Sequence, residues 1–233
     1  GFSAPSITAI DITNPANPLR VPGRVTGSAP NYALTLTPSG TGTRTLLAVA
    51  SSGIRTPTVG ANEPSNWHGP QVGYDMVIIG HASLLASAEP LADLREAQGL
   101  SVALVDVQDV YDEFNFGVKS PNALKSFLAA AKANWTEKPR FVLLLGNGTF
   151  DPRNFLGEGV PDLVPAKLVD SGYLETASDD WFVDFNNDAI PDMAIGRLPA
   201  ESAAAAALMV GKTVAYDQQS GAAWTARALL VTG

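Results

Sequence analysis

A run of oxygen-bearing side chains between residues 184 and 192 is the strongest candidate for chemistry in this sequence. Asp184, Asn186, Asp188 and Asp192 stand at positions 1, 3, 5 and 9 of the run, and the carbonyl of Ile190 is available at position 7. Calcium takes several hard oxygen ligands, and alternating acidic side chains on a curled loop supply them. The spacing therefore predicts a calcium site formed by these five residues.

The run departs from an EF-hand loop at two positions. Ala189 stands where the EF-hand has glycine, and Ile195 stands where it has the bidentate glutamate. The alternative is a polar hairpin turn between Trp181–Phe185 and Met193–Ile195. Ligand number and geometry decide between the two interpretations, and the sequence leaves both open.

Other polar side chains stand where apolar runs end. His81 follows one run, Asn147 and Asp151 follow another, and Arg197 follows Met193–Ile195. Ligands of open α/β sheets sit beyond the carboxyl ends of the strands, so these residues predict a polar cleft at one edge. The alternative is loop solvation and helix capping. As a general base, His81 would need a nucleophile and an orienting carboxylate such as Asp106 or Asp151, and no Gly-x-Ser-x-Gly motif is present. We assign no catalytic residue.

Composition excludes several classes of function. The chain has 233 residues, of which 45% are hydrophobic and 16% charged, as in a packed globular protein. Its net charge of −8 argues against a nucleic-acid partner, which needs clustered positive charge. The chain contains no cysteine, which excludes disulfides, thiolate zinc sites and a thiol nucleophile within it. No apolar run approaches the roughly 20 residues that span a bilayer.

The first 73 residues predict a small antiparallel β domain. They are rich in Thr, Pro, Gly and Ser, and apolar residues alternate with polar ones in four short segments. These predicted strands are Ile7–Ile12, Leu19–Val25, Tyr32–Leu36 and Leu46–Ala50. The tail Gly60–Gly73 has the composition of a linker.

From Tyr74 onward the pattern predicts an α/β domain with a mostly parallel sheet. Short apolar runs alternate with helical patterns, as in sheets covered on both faces. The predicted strands are Met76–Ile79, Val102–Val107, Phe141–Leu145 and a fourth beginning at Leu229–Val231. Helices are predicted from Pro90 to Gly99, after Ser120-Pro121, and from Ser202 to Tyr216. We thus expect residues 74–217 to form one α/β subdomain, and residues 218–233 a linker and the first strand of a truncated second one.

Ordered blocks of the second part resemble the gingipain-type cysteine peptidases, which are secreted bacterial enzymes with a caspase-like fold. The blocks include Tyr74–Ile79, Leu91–Arg95, Tyr111–Phe114, Phe141–Gly146, Ser178–Trp181 and Pro191–Pro199. The resemblance covers roughly residues 74–233, and it implies a caspase-like layered α/β fold behind the small β domain.

The resemblance also implies a function. The family's catalytic domain has two halves, and the catalytic His and Cys lie in the second, so this chain would be the first, non-catalytic half and inactive alone. The parent would be a secreted or cell-surface bacterial endopeptidase that binds protein or peptide substrates through the missing half. Calcium binding in the family supports the prediction for residues 184–192. The alternative function is a non-catalytic, calcium-dependent binding or structural module on a bacterial surface.

Overall fold

The computed structural model describes residues 1–56, 62, 64–219 and 227–230, which form two compact units, Gly1–Asn62 and Glu63–Gly233. The predicted three-part division, with boundaries after residues 73 and 217, stays a prediction. The strand predicted to begin at Leu229–Val231 lies partly outside the described residues, and no strand is assigned to Leu229 and Leu230.

The first unit consists of short antiparallel strands, as predicted. Its strands are β1 (Ile7–Asp11), β2 (Leu19–Arg20), β3 (Gly23–Ser28), β4 (Asn31–Leu36) and β5 (Leu46–Ala50). They form a three-stranded sheet in the order β2-β1-β5 and a β3-β4 hairpin. In β4, Tyr32, Leu34 and Leu36 are half-buried, whereas the residues between them are exposed. This period of two is the alternation that predicted a sheet with one covered face.

The second unit is a layered α/β domain, which confirms the predicted fold class. Its strands are β6 (Met76–Gly80), β7 (Val102–Asp106), β8 (Phe141–Leu145), β9 (Leu168–Asp170), β10 (Glu175–Ala177) and β11 (Ala194–Leu198). Its helices are α1 (Ala82–Leu85), α2 (Glu89–Ala97), α3 (Val107–Asn115), α4 (Pro121–Asn134) and α5 (Ala203–Asp217). Four strands form a parallel sheet in the order β11-β8-β6-β7, and β9 and β10 form a separate antiparallel hairpin.

Both faces of the parallel sheet are covered. Val77 and Ile79 of β6 belong to one buried cluster together with residues of α3 and α4. Met76 and Ile78 belong to a second cluster, which includes residues of α1 and α5. Every residue of β6 is buried, because the strand lies inside the sheet and has helices on both sides. This burial explains why the central strands have continuous apolar sequences.

Residues 181–195 do not form the two paired strands of the hairpin interpretation, although the Asp192 N–H donates to the Val183 carbonyl (2.8 Å) and closes the turn between them. Asp180–Val183 forms a short 3₁₀ helix, and β11 pairs in parallel with β8 rather than folding back on residues 181–185. Ala194 lies opposite Phe141, and Leu198 lies opposite Leu145. β11 is the outer strand of the described sheet and is only half-buried, so its sequence lacks the apolar run that identifies the inner strands.

Asp75 links the amino ends of the three neighbouring strands β6, β7 and β8. Its carboxylate accepts hydrogen bonds from the Ser101 backbone N–H (3.1 Å) and from Nη2 of Arg140 (2.6 Å). The amide of Ser101, and after it the Arg140 guanidinium, lower the pKa of Asp75. Because the folded-state pKa lies below the unfolded value of about 3.9, the stabilisation is present above that pH and is lost as the pH falls through the folded-state pKa.

We therefore expect Asp75→Asn to lower the Tm at pH 7 and to flatten the acid limb of the Tm–pH curve. Thermal unfolding monitored by circular dichroism between about pH 7 and pH 2.5 measures the Tm on both sides of the unfolded-state pKa of about 3.9. Asp93→Asn, at an exposed position of α2, is the matched control. An Asp75→Asn curve parallel to that of the wild type would contradict the assignment.

Candidate functional site

The structure places the predicted polar residues at the carboxyl edge of the sheet, but His81 has a capping role there. Its Nδ1 accepts a hydrogen bond from the Ser83 backbone N–H (3.2 Å) and lies 2.8 Å from Ser83 Oγ, at the start of α1. Asp106 caps α3 by accepting from the Gln108 N–H. Asp151 accepts from two backbone amides of its own loop, at residues 155 and 156. For His81, Asp106 and Asp151, the capping interpretation therefore describes the observed contacts.

Arg197 is the most extensively bonded side chain at this edge. Its Nε and Nη2 bind the Asp179 carboxylate at 3.0 and 2.8 Å. Nη1 donates to the carbonyls of Gly146 (3.0 Å) and Val164 (2.8 Å), and Nη2 donates to that of Pro165 (3.2 Å). Only 12% of the side chain is exposed. Arg197 therefore joins the ends of β8 and β11 to the segments on either side of the β9-β10 hairpin.

The bend after β8 depends on close backbone packing. A Cβ at Gly148 would lie 2.7 Å from the Val164 carbonyl oxygen and 2.8 Å from the Ala166 nitrogen, so only glycine fits. The carbonyl of Asn147 accepts hydrogen bonds from the amides of Leu163 (2.8 Å) and Val164 (3.0 Å). These contacts hold residues 161–166 against the sheet edge and bring the β9-β10 hairpin beside it.

A cavity of 640 Å³ lies between the loop after β8 and the hairpin, and we call it the edge cleft. It is lined by Gly148, Thr149, Phe150, Val160, Ala166, Leu168, Glu175, Thr176 and Ala177. A smaller cavity of 140 Å³ shares Gly148, Ala166 and Ala177 with it and adds Asn147, Asp179 and Arg197. The edge cleft is thus a mainly apolar groove that adjoins the Arg197–Asp179 ion pair. No sequence pattern predicts this cleft, because β9 and β10 have only three residues each.

Residues 184–192, which we call the aspartate loop, are held in a closed conformation mainly by hydrogen bonds from the loop's own backbone amides. Both Asp184 oxygens accept amide hydrogen bonds at 3.1 Å, from Asp188 and Ala189. Asp188 accepts from the Ile190 amide (2.9 Å) and from Asn186 Nδ2 (2.9 Å). Asp192 closes the far end of the loop by accepting from the amide of residue 185. Among the described residues, no three His, Asp or Glu side chains are placed to hold one metal ion.

Two lysines of α4 also contact this loop. Lys125 Nζ lies 3.2 Å from Asn187 Oδ1, and Lys132 Nζ lies 3.3 Å from the Asp192 carbonyl oxygen. They supply positive charge beside the carboxylates. Each carboxylate oxygen keeps a second lone pair beside its amide hydrogen bond, so a cation would share the oxygens with the loop amides. Calcium binding by residues 184, 186, 188, 190 and 192 stays a prediction.

If this loop binds calcium at the affinity of extracellular modules, about 10 mM CaCl₂ should stabilise the chain by about 1.4–2.7 kcal/mol. The expected rise in Tm is about 3–10 °C. Asp188→Asn should remove the rise, whereas Asp93→Asn should leave it unchanged. Differential scanning fluorimetry in CaCl₂, MgCl₂ and EDTA measures the effect, and equal Tm values in CaCl₂ and EDTA would refute the site.

Comparison with known proteins identifies the class. Residues 70–233 match Peptidase_C25, peptidase family C25, and because this is most of the chain, the protein belongs to that family. The resemblance to gingipain-type peptidases is thereby confirmed. No curated protein sequence matches significantly.

The solved structures that are similar to this chain include the following two. Dimeric latent PorU from Porphyromonas gingivalis is 25% identical with a TM-score of 0.69, and the match covers 95% of this chain and 23% of that one. A structure described only as a protease is 16% identical with a TM-score of 0.47, covering 60% of this chain and 27% of that one. The chain thus spans less than a quarter of the length of PorU. No helix in the described ranges combines the length and apolarity needed to cross a bilayer.

Proposed function

We propose that this chain supplies the non-catalytic half of the scaffold of a gingipain-like cysteine endopeptidase and is inactive alone. The observation that carries the proposal is a family C25 match in a chain without cysteine. A peptidase of this class uses a cysteine thiolate to attack the peptide carbonyl and a histidine to carry the proton. Without a thiol, this chain cannot form the acyl-enzyme.

The contacts at the sheet edge support a scaffolding role. His81, Asp106 and Asp151 cap or close local backbone, and Arg197 is held by Asp179 and three carbonyls. In the proposed enzyme, these residues hold the ends of the strands and the hairpin in place. The edge cleft then forms one wall of the substrate-binding region, and the catalytic histidine and cysteine come from another part of the protein.

The test compares this chain with the product of its complete reading frame, using casein and fluorogenic peptides as substrates. We expect no hydrolysis by residues 1–233, and hydrolysis by the complete product that iodoacetamide abolishes. Replacing the candidate cysteine of the complete product with alanine is the matched control. Hydrolysis by this chain that resists iodoacetamide would refute the proposal. A complete product without a reactive cysteine would leave the non-catalytic surface module as the function.

We propose further that the parent protein acts outside the bacterial cell or on its surface, with polypeptides as substrates. Family membership supports polypeptide substrates, and the acidic, cysteine-free composition is compatible with export. Immunodetection in culture medium and on intact cells, before and after external trypsin, tests the location. Detection only after cell lysis would refute it.

A further inference from the structure

Residues of the β9-β10 hairpin line the edge cleft, and β10 has an unpaired strand edge. Ser171 N–H donates to the Leu174 carbonyl (3.2 Å), and Ser178 N–H donates to the Lys167 carbonyl (2.9 Å). Since hydrogen-bonded and non-hydrogen-bonded pairs alternate in antiparallel strands, Glu175 falls at a non-hydrogen-bonded position. The same holds for residue 177. The N–H and C=O groups of these two residues therefore point away from β9, and β10 has no other strand beside it in the described sheets.

The face of the hairpin that lines the cleft has an apolar part and an acidic part. Leu168 lies opposite Ala177, and both line the cleft together with Phe150 and Val160. The side chain of Phe150 is 65% exposed, so this apolar wall is open to solvent. Exposed apolar side chains beside an open strand edge are the features that peptide-binding sheets use.

The acidic part carries an unfavourable charge pair. Asp170 lies directly opposite Glu175 at a non-hydrogen-bonded position, where Cβ atoms are about 4.5–5.5 Å apart and like charges repel. Both residues are exposed. Asp170 accepts one local hydrogen bond, from the Gly172 amide. A cationic side chain placed here would offset the repulsion, so the charge of this face is complementary to lysine or arginine.

We propose that β10 binds an extended polypeptide segment by strand addition in the edge cleft. The segment places a lysine or arginine beside Asp170 and Glu175, and an aliphatic side chain two residues away over Leu168 and Ala177. The spacing follows from the period of two in a strand. The inference rests on the proposed function only for the class of partner, a polypeptide, and it requires no hydrolysis.

The probe is a fluorescein-labelled peptide, Gly-Thr-Leu-Thr-Lys-Thr-Leu-Thr-Gly amide, which fits β10 in either chain direction. Fluorescence anisotropy with residues 1–233 should show saturable binding, and exchanging the peptide's lysine for glutamate should weaken it at least fivefold. N-methylation of alternate amides tests the strand edge. One set of methyl groups should abolish binding and the other should not, because only one set faces β10.

Protein variants test the acidic pair. Asp170→Asn with Glu175→Gln should weaken lysine-peptide binding about fivefold, as expected for two exposed ion pairs. Asp93→Asn with Glu96→Gln, exposed on α2, removes the same charge elsewhere and should leave binding unchanged. Equal binding of the lysine and glutamate peptides, equal effects of the two double variants, or no binding would overturn the inference. Because binding is measured without hydrolysis, these outcomes are independent of the activity assay on the complete reading frame.

Discussion

Replacing Arg197 with alanine is expected to lower the free energy of unfolding by about 3–4 kcal/mol, and the Tm by about 10 °C. The substitution leaves the Asp179 carboxylate without its cation and removes the donor from three carbonyls. Breaking a largely buried pair by removing one partner costs more than the pair contributes, because the remaining charge is left uncompensated.

Chemical denaturation in urea measures the difference, and Arg95→Ala is the matched control. Arg95 pairs with Asp217 at a similar exposure, with 23% and 24% of the two side chains exposed. In the part of the chain that the structure describes, Arg95 also donates to the Gln98 side chain but to no backbone carbonyl, so Arg95→Ala should lose less stability than Arg197→Ala. Arg197→Lys keeps the positive charge but lacks the planar guanidinium. Its free energy of unfolding should therefore lie between those of the wild type and Arg197→Ala. Equal losses in Arg197→Ala and Arg95→Ala would show that Arg197 has no special role.

The same substitution should loosen the β9-β10 hairpin. The carbonyls of Val164 and Pro165 precede the hairpin and Asp179 follows it, so Arg197 holds both of its ends. Backbone amides of residues 166–178 should then exchange with deuterium faster in Arg197→Ala than in the wild type. The exchange rates of the β6 amides should increase less. Uniform acceleration over the whole unit would indicate global destabilisation instead.

Burial on both faces decides which strands the sequence could predict. β6, β7 and β8 were predicted close to their observed bounds, because strands covered by helices on both faces have continuous apolar sequences. Only the short run Met193–Ile195 of β11 was recognised, and not its place in the parallel sheet, since β11 is an outer strand and its residues are only partly buried. α3 was missed, although Asp106 provides an N-cap at its start.

The sequence predicted where the candidate site lies but not what its side chains do. The ends of parallel strands share an edge, which is why His81, Asn147 and Arg197 could be placed together. What each side chain does there depends on contacts distant in sequence, such as those of Arg197 with Gly146 and Val164. Such contacts cannot be predicted from the pattern of neighbouring residues. The hairpin that forms the edge cleft is too short to show any periodicity.

The segment before β6 is a second case in which contacts distant in sequence decide the structure. Its composition predicted a linker, yet Glu113 of α3 accepts hydrogen bonds from the backbone amides of Trp67 (2.7 Å) and His68 (2.6 Å). The indole of Trp67 packs against the aromatic core, and the ring of His68 stacks on Phe114. A Trp within a Pro- and Gly-rich stretch was the available signal, since a large apolar ring gains most from burial.

Phe127→Ala is expected to cost about 3–5 kcal/mol of unfolding free energy. Phe127 is fully buried, and its ring centroid lies 6.1 Å from Trp67, 5.5 Å from Phe114 and 5.9 Å from Trp135. Truncation removes the transfer energy of the ring and leaves a cavity among rigid aromatic neighbours, which cannot collapse to fill it. The partners come from α3, the end of α4 and the segment before β6, so one substitution weakens three packing contacts.

Urea unfolding followed by tryptophan fluorescence measures the loss, because Trp67 and Trp135 both contact the Phe127 ring. Phe155→Ala removes the same side-chain volume at a position that is 80% exposed, and it should change stability by less than about 0.5 kcal/mol. Phe127→Leu refills part of the cavity and should recover part of the loss. A Phe127→Ala variant as stable as Phe155→Ala would mean that this aromatic cluster does not hold α3, α4 and the Trp67 segment together.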